Sequence, residues 1–411
     1  MVSSLTCRSC GAANLQQVID LGTQPLANNL LGPADLNRPE PAFPLEVWVC
    51  PACWLMQIAY IVPPVTLFSE YLYFSSFSDQ MLQHAGGAAE RYIVEKKLGS
   101  ANFVVEVASN DGYFLKNFVK GGVPCLGFEP AANIAEVARK NGIETLDAFF
   151  GAETARSVAS QHGKADLILA NNVFAHAPEI NDFVSGIAAL LKPDGWAVLE
   201  FPYAVDMVEK TEFDTIYHEH VFYFTLLPLL PLFARHSLDI FNVERIPIHG
   251  GSLRIFASQR GAHPVSTAVG DLIHEERKRK VDSPAFYQEF SRQAAEVRSN
   301  LIDFLREQSD AGKRIAAYGA SAKGSTLLNF VGEAAKTIEF IADRSTYKQG
   351  RLSPGLHLPI VPAESLEEKQ PDFAVLLTWN FAEEIMRQQR AYSEKGGKFV
   401  IPLPELFVTP S

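Results

Sequence analysis

The run Val104-Val105-Glu106-Val107-Ala108-Ser109-Asn110-Asp111-Gly112 constrains this chain more than any other. It begins as a buried strand and ends as a small polar turn closed by glycine, and Tyr113 to Phe118 opens a helix. Strand, tight turn and helix in that order bring bare backbone N–H groups up to a ligand at the C-terminal edge of a sheet. The acid within the strand, Glu106, can hold an amine or a hydroxyl. The pattern predicts an α/β domain with a site for a nucleoside-bearing cofactor.

At 411 residues the chain exceeds one ordinary domain. A formal net charge of −11 argues against nucleic acid as the main partner, because phosphate backbones need a basic footprint. A local basic pocket for a small phosphorylated ligand stays open. The first residues lack the charged-then-apolar order of a secretion signal. The longest apolar run, Val221 to Ala234, contains Pro228 and Pro231 and is shorter than the roughly 18–20 residues that span a bilayer. The expectation is a soluble, cytoplasmic protein without a membrane partner.

Residues 1–76 carry two knuckles, Cys7-Arg8-Ser9-Cys10 and Cys50-Pro51-Ala52-Cys53. Such pairs place four thiolates tetrahedrally around one Zn²⁺. The insert between them is longer than the usual ribbon spacing, and unrelated buried thiols are the alternative. Without a secretion signal, paired cysteines favour metal over disulfides. Four sulfur ligands leave no open position, so the metal would hold the fold and take no part in the chemistry.

Residues 77–261 alternate strand-like and helix-like runs. An entry helix at 78–95 precedes strands at 104–108, 125–129, 143–146, 166–170 and 196–201, with helices at 112–120, 131–140, 152–160 and 180–191 between them. This alternation predicts a mostly parallel, doubly wound sheet. Residues 262–411 read as a second α/β unit, with a long helix at 284–307, strands at 314–318, 338–342, 373–377 and 398–401, and helices at 325–330 and 383–390. Its first turn, Tyr318-Gly319-Ala320-Ser321-Ala322-Lys323-Gly324, again follows a strand and precedes a helix.

Dinucleotides and S-adenosylmethionine both use such a turn. The dinucleotide fingerprint needs Gly-x-Gly-x-x-Gly. Here one glycine follows Ala108, Ser109, Asn110 and Asp111, and Glu106 would repel a pyrophosphate while attracting a cationic amino-acid group. Glu129, followed by Pro130, ends the next strand, where a carboxylate meets ribose hydroxyls. Taken alone, it also reads as a solvated strand end. Asn171 and Asn172 end the fourth strand with amides that suit the methionine end or the substrate.

At these residues the chain resembles the class I S-adenosylmethionine-dependent methyltransferases. It is closer still to the sugar C-methyltransferases of deoxysugar biosynthesis, which act on nucleotide-linked ketosugars. The resemblance covers nearly the whole length. It takes in the four-cysteine module, Tyr71-Leu72-Tyr73-Phe74-Ser75-Ser76, Glu106 to Gly112, Asn171-Asn172-Val173-Phe174-Ala175-His176, Tyr217-His218-Glu219-His220, His249-Gly250-Gly251-Ser252-Leu253-Arg254 and Tyr318 to Gly324. Order and conjunction carry it; Ala108 stands where glycine is usual. It implies a zinc-binding module, a class I core and a Rossmann-like C-terminal domain that binds the nucleotide sugar. The implied reaction is methyl transfer to a carbon beside the keto group, usually C-3 of a 4-ketosugar.

Methylating carbon requires a carbanion equivalent. Removing the proton beside a ketone supplies one as an enolate, so the site needs a base, donors for the enolate oxygen and an in-line methyl group. His220 is the candidate base, because imidazole titrates near neutrality. Glu219 can orient an imidazole or bond a sugar hydroxyl, and Tyr217 can donate to the oxyanion. Without the family, this run also reads as a polar turn with packing histidines, or as metal ligands; the resemblance favours the base. It adds Tyr71 to the catalytic set, ahead of Tyr73. In the linker after the zinc module these two tyrosines and Ser75 are candidates to reach the substrate, although two aromatics here, taken alone, also read as packing. His176 faces the methyl group or is structural. For a diphosphate, Ser321, Lys323 and Gly324 form an anion-binding turn. Arg344 and Lys348 follow in the next loop, and Arg254 sits in a glycine-containing loop. Each cation alternatively reads as solvated surface charge. The pocket would lie between the two α/β units. The competing readings are an NAD(P)-dependent nucleotide-sugar oxidoreductase and a non-enzymatic zinc-ribbon scaffold.

Overall fold

The computed structural model describes residues 5–68, 75–248 and 250–410. Near the N-terminus, β1 (Gln16–Pro25), β2 (Ala42–Val49) and β3 (Met56–Ile58) pair antiparallel in chain order. Leu45, Val47 and Val49 alternate along β2 into its buried face.

The second sheet begins with β4 (Val104–Val107), β5 (Cys125–Phe128), β6 (Thr145–Leu146), β7 (Ala165–Asn171) and β8 (Leu191–Pro202). After the two-residue β9 (Phe222–Tyr223) come β10 (Leu238–Ile246) and β11 (Ser252–Gln259). The order is β10-β11-β8-β7-β4-β5-β6. Strands β4 to β8 run parallel, while β11 lies antiparallel between β8 and β10. Every residue of β4 is buried, Glu106 included, as its central place between β7 and β5 requires. Chain order reverses between β4 and β7, and a crevice for ligand opens at such a reversal. β9 leaves this sheet and pairs with β3, so a strand next to the 217–220 run closes the N-terminal sheet.

The third sheet holds β12 (Ile315–Tyr318), β13 (Ile338–Asp343), β14 (Ile360–Pro362), β15 (Phe373–Leu376), β16 (Lys398–Ile401) and β17 (Phe407–Val408). Its order is β14-β13-β12-β15-β16-β17, parallel except for β17. Helix Pro284–Asp310 buries Tyr287, Phe290, Ala294, Val297, Leu301 and Leu305 at three- and four-residue spacing. It packs on β1, on helix Ala204–Glu209 and on helix Ala322–Val331, one element from each region. One hydrophobic cluster consequently runs from Cys7 to Leu403. Among the described residues, no helix is long and apolar enough to cross a membrane.

Candidate active site

The turn after β4 is built on left-handed backbone: φ is +54° at Ala108, +50° at Asn110 and +80° at Gly112. A Cβ on Gly112 would lie 2.6 Å from Ile143 Cγ1, so glycine is required there. Glu129 pins the turn by accepting from Asn110 N (3.0 Å) and Ala131 N (2.9 Å). Ser75 N donates to Asn110 Oδ1 at 2.9 Å. Glu106 Oε2, Ser109 Oγ, Asp111 Oδ1 and Asn172 Oδ1 are buried without a hydrogen-bond partner among the described residues. Burial, reinforced by Glu129 and Asp111, holds Glu106 well above the usual carboxylate range. Burial also raises Glu129, against the two N–H bonds that pull it down. Unspent acceptors around a tight turn fit a ligand rich in donors, with an ammonium and ribose hydroxyls.

Ala108, Asn110, Glu129, Pro130, Asn171, Asn172 and Ser75 line a cavity of about 860 Å³. Glu106, Ser109, Asp111 and Gly112 are not part of that lining and support the turn from beneath. Ala148, Phe149 and Phe150, just after β6, also line it, as does Asn28. Sequence reasoning passed over these residues, although paired aromatics at a strand end were a usable signal for a flat ring.

Further along the same edge, His220 Nδ1 donates to Thr215 O at 2.8 Å. A carbonyl can only accept, so the neutral ring presents Nε2 as its acceptor. Tyr217 Oη donates to that Nε2 at 2.9 Å, with ring centroids 4.0 Å apart. The His176 ring lies 4.9 Å from His220, and burial holds it down to about 4, hence neutral. Burial pushes Glu219 up to about 7, opposed by a 2.6 Å hydrogen bond from Asn28 Nδ2. His176, Tyr217, Glu219 and His220 all line the cavity. His218 instead turns toward β2, with Nε2 3.3 Å from Pro44 O, so the two histidines of the run do not converge on a metal. Tyr71, Tyr73 and His249 lie outside the described residues.

The facing wall comes from the third sheet. Ser321 caps helix Ala322–Val331 by accepting from Gly324 N at 3.0 Å. That helix starts three residues before the expected position, which puts Lys323 and Gly324 in its first turn. Ser321, Lys323 and Lys348 line the cavity. Lys323 Nζ is buried 5.1 Å from the Trp379 ring centroid and has no hydrogen-bond partner among the described residues. Lys348 Nζ donates to Ala320 O at 2.7 Å. Three expectations need correction. A Cβ on Gly324 would meet Leu377 Cβ at 2.7 Å, so this glycine serves helix–sheet packing rather than the cavity. Arg254 is on β11, not in a loop, and is bound to Glu200 (3.0 Å) and Glu244 (3.2 Å) inside the sheet layer. Arg344 is exposed and contacts Gln388 at 3.3 Å, outside the cavity lining.

The four expected thiols do converge. Sγ atoms of Cys7, Cys10, Cys50 and Cys53 lie within 4.8 Å of one another, with Cys7–Cys53 and Cys10–Cys50 at 3.6 Å. Tetrahedral zinc with bonds of about 2.3 Å needs sulfur separations of about 3.8 Å. The donor set therefore fits zinc. The first knuckle docks on the second unit, where Asn181 Nδ2 donates to Arg8 O (2.8 Å) and Ser9 O (3.0 Å). None of the four cysteines lines the cavity.

A sheet reversing at β4, an antiparallel β11 inserted beside its edge and a donor-hungry turn at the reversal define a methyltransferase core. Family models match on all three parts: a zinc binding domain over residues 7–68, a methyltransferase domain over 79–241, and a C-methyltransferase C-terminal domain over 247–404. The chain is 38% identical over 400 residues to the C-methyltransferase NovU of Streptomyces niveus, spanning 97% of this chain and 95% of that one. It is 30% identical over 93 residues to a ubiquinone biosynthesis O-methyltransferase of Chelativorans sp., covering 22% of this chain and 37% of that one. A magnesium protoporphyrin IX methyltransferase from Synechocystis PCC 6803 superposes with a TM-score of 0.34 at 12% identity, over 43% of this chain and 79% of that one. The chain belongs to the C-methyltransferase family. It is an S-adenosylmethionine-dependent enzyme with a zinc-binding N-terminal module. Membership overturns the oxidoreductase and scaffold readings, in line with a turn that holds one glycine where a dinucleotide needs three.

Proposed function

We propose that this enzyme methylates a nucleotide-linked ketodeoxysugar at the carbon beside its keto group, C-3 of a 4-ketosugar, with His220 as the base. One observation carries the reading: the Thr215 carbonyl fixes the His220 tautomer so that a basic Nε2 is presented beside Tyr217 in the shared cavity. S-adenosylmethionine supplies an electrophilic methyl group when bound. His220 Nε2 takes the acidic proton, and Tyr217 Oη, displaced from Nε2 by the sugar, donates to the enolate oxygen. His176, kept neutral by burial, adds no competing charge beside His220. The proposed handle for the nucleotide is Lys323, whose buried ammonium has unspent hydrogen bonds, together with Lys348 and the capped turn at Ser321. Burial from both units would exclude water from the enolate.

The test is a panel of ketosugar nucleotides incubated with methyl-labelled donor, with wild-type enzyme and His220→Asn. Wild type should label a keto-bearing sugar and exchange its acidic proton with deuterated solvent. His220→Asn should bind both ligands and lose both exchange and turnover by about 10²–10⁴-fold, the usual scale of a general base. An active His220→Asn enzyme would remove the base assignment, and labelling on oxygen or nitrogen would remove the acceptor.

A further inference from the structure

We propose that Asn28, carried on a loop of the zinc-binding module, is a positioning residue that aims the Glu219 carboxyl beside His220 and favours its ionised form. This rests on the reading of the cavity as the acceptor site. Asn28 Nδ2 donates to Glu219 Oε1 at 2.6 Å, across 191 residues of sequence. Its loop is pinned on both sides. It leaves β1 at Pro25 and turns through Asn29 N to Leu26 O (3.0 Å) and Leu30 N to Asn28 O (2.9 Å). It then binds the C-terminal unit, where Leu31 and Leu352 exchange both backbone hydrogen bonds (3.0 and 2.9 Å). Beyond that, Glu40 accepts from Gly355 N (3.0 Å) and pairs with His357 Nε2 (2.9 Å). The loop thus spans from the zinc sheet to the third sheet, and its tip presents an amide to the 217–220 run.

A carboxyl buried to this degree tends to neutralise itself unless donors favour the charged form. Glu219 is 6% exposed, and burial is what raises it, while the Asn28 bond is what lowers it. On its own edge the titratable neighbours along the cavity are His176, Tyr217, His220 and Tyr223. Lys323 and Lys348 face it from the third sheet, and Glu129, Glu179 and Asp182 line the cofactor end. Among the described residues the Asn28 amide is what lowers Glu219 against its burial. A carboxylate held this way accepts a hydroxyl of the acceptor sugar, whereas the protonated acid would lose part of that capacity.

The experiment has two arms on the full-length zinc-loaded enzyme. In the first, ¹³C-glutamate-labelled protein is titrated by NMR, and the Glu219 carboxyl signal is identified as the one lost in Glu219→Gln. It should titrate near pH 7 in wild type. Asn28→Ala should raise that midpoint by roughly one pH unit, the scale of a lost hydrogen bond to a charged group. Asn28→Asp, which keeps the size but adds a second carboxylate, should raise it further. It also serves if the alanine variant folds poorly. In the second arm, the acid limb of kcat/KM should move up by the same amount, giving roughly a fivefold loss at pH 7 that recovers at higher pH. An unmoved carboxyl midpoint, or a loss of kcat/KM equal at every pH, overturns the proposal. The NMR arm needs no acceptor, so failure of the sugar panel would sink the acceptor reading and leave the Asn28 result standing on its own.

Discussion

At the scale of single residues, the turn after β4 leaves buried acceptors unspent. Glu106 is the clearest case, because burial, reinforced by the charges of Glu129 and Asp111, raises it well above the usual carboxylate range. A cationic ligand favours its ionised form, so binding S-adenosylmethionine should release a proton. Affinity should then strengthen as pH rises toward the raised ionisation of Glu106. Calorimetry in buffers of different ionisation enthalpy checks this, and equal heats across buffers would mean that Glu106 keeps its proton on binding. Glu106→Gln should abolish the release and weaken binding by about tenfold, the scale of one pKa unit of interaction between the ligand's charge and a carboxylate beneath the turn. Residues of this kind were legible in sequence because strand, turn and acid adjoin one another. Asn28 was not legible, because its partner Glu219 is brought to it only by the packed fold.

At the scale of elements, the central strands were readable because burial on both faces leaves mostly apolar runs, interrupted by Glu106 in β4 and by Asp166 in β7. The hairpin β10–β11 was not. Its charges, Glu244 and Arg254 among them, look like loop residues until register places Arg254 opposite both Glu244 and Glu200. There Arg254 joins Arg91, Glu244, Glu200 and His84 in one ion network that ties helix Asp79–Lys96 to the sheet. Burial pushes Glu200 up, but His84 and Arg254 outweigh it and hold it below the usual range. The network's contribution is therefore present above the ordinary carboxylate pKa and is lost as pH falls through the lowered one. Arg254→Leu leaves the buried Glu200 with His84 as its remaining partner and should cost about 3 kcal/mol in denaturant unfolding. Acceptor KM on the folded fraction should stay within about twofold, since Arg254 lies outside the cavity lining and no ground-state contact is removed. A raised KM with unchanged stability would return Arg254 to the substrate site.

At the scale of the whole molecule, the cavity has three contributors, and the smallest makes the least obvious claim on it. The repeated βα pattern made the two α/β walls foreseeable, whereas a device they share, in which the acid ending the second strand holds the first turn, shows only in the structure. Glu129 accepts from Asn110 N and Ala131 N, and Asp343 accepts from Ala320 N and Ser345 N. The knuckles made the zinc site foreseeable as well, but pointed only to a metal that holds the fold and takes no part in the chemistry. Instead β3 pairs with β9 immediately beyond the 217–220 run, and the loop after β1 reaches Glu219 and the third sheet. Zinc removal should therefore act on catalysis through folding, although no cysteine lines the cavity. A module this small has little core of its own, and its metal contributes directly to folding free energy. On timed chelation, turnover should fall in step with zinc content while donor affinity changes by less than about threefold, since the turn after β4 belongs to the second sheet. Cys53→Ser should reproduce the loss without chelator. Zinc-free protein with full turnover would show that β3, β9 and Asn28 keep their places without the metal. A parallel loss of donor binding would show that the module supports the cofactor turn as well, through the segment that reaches Asn110 by way of Ser75.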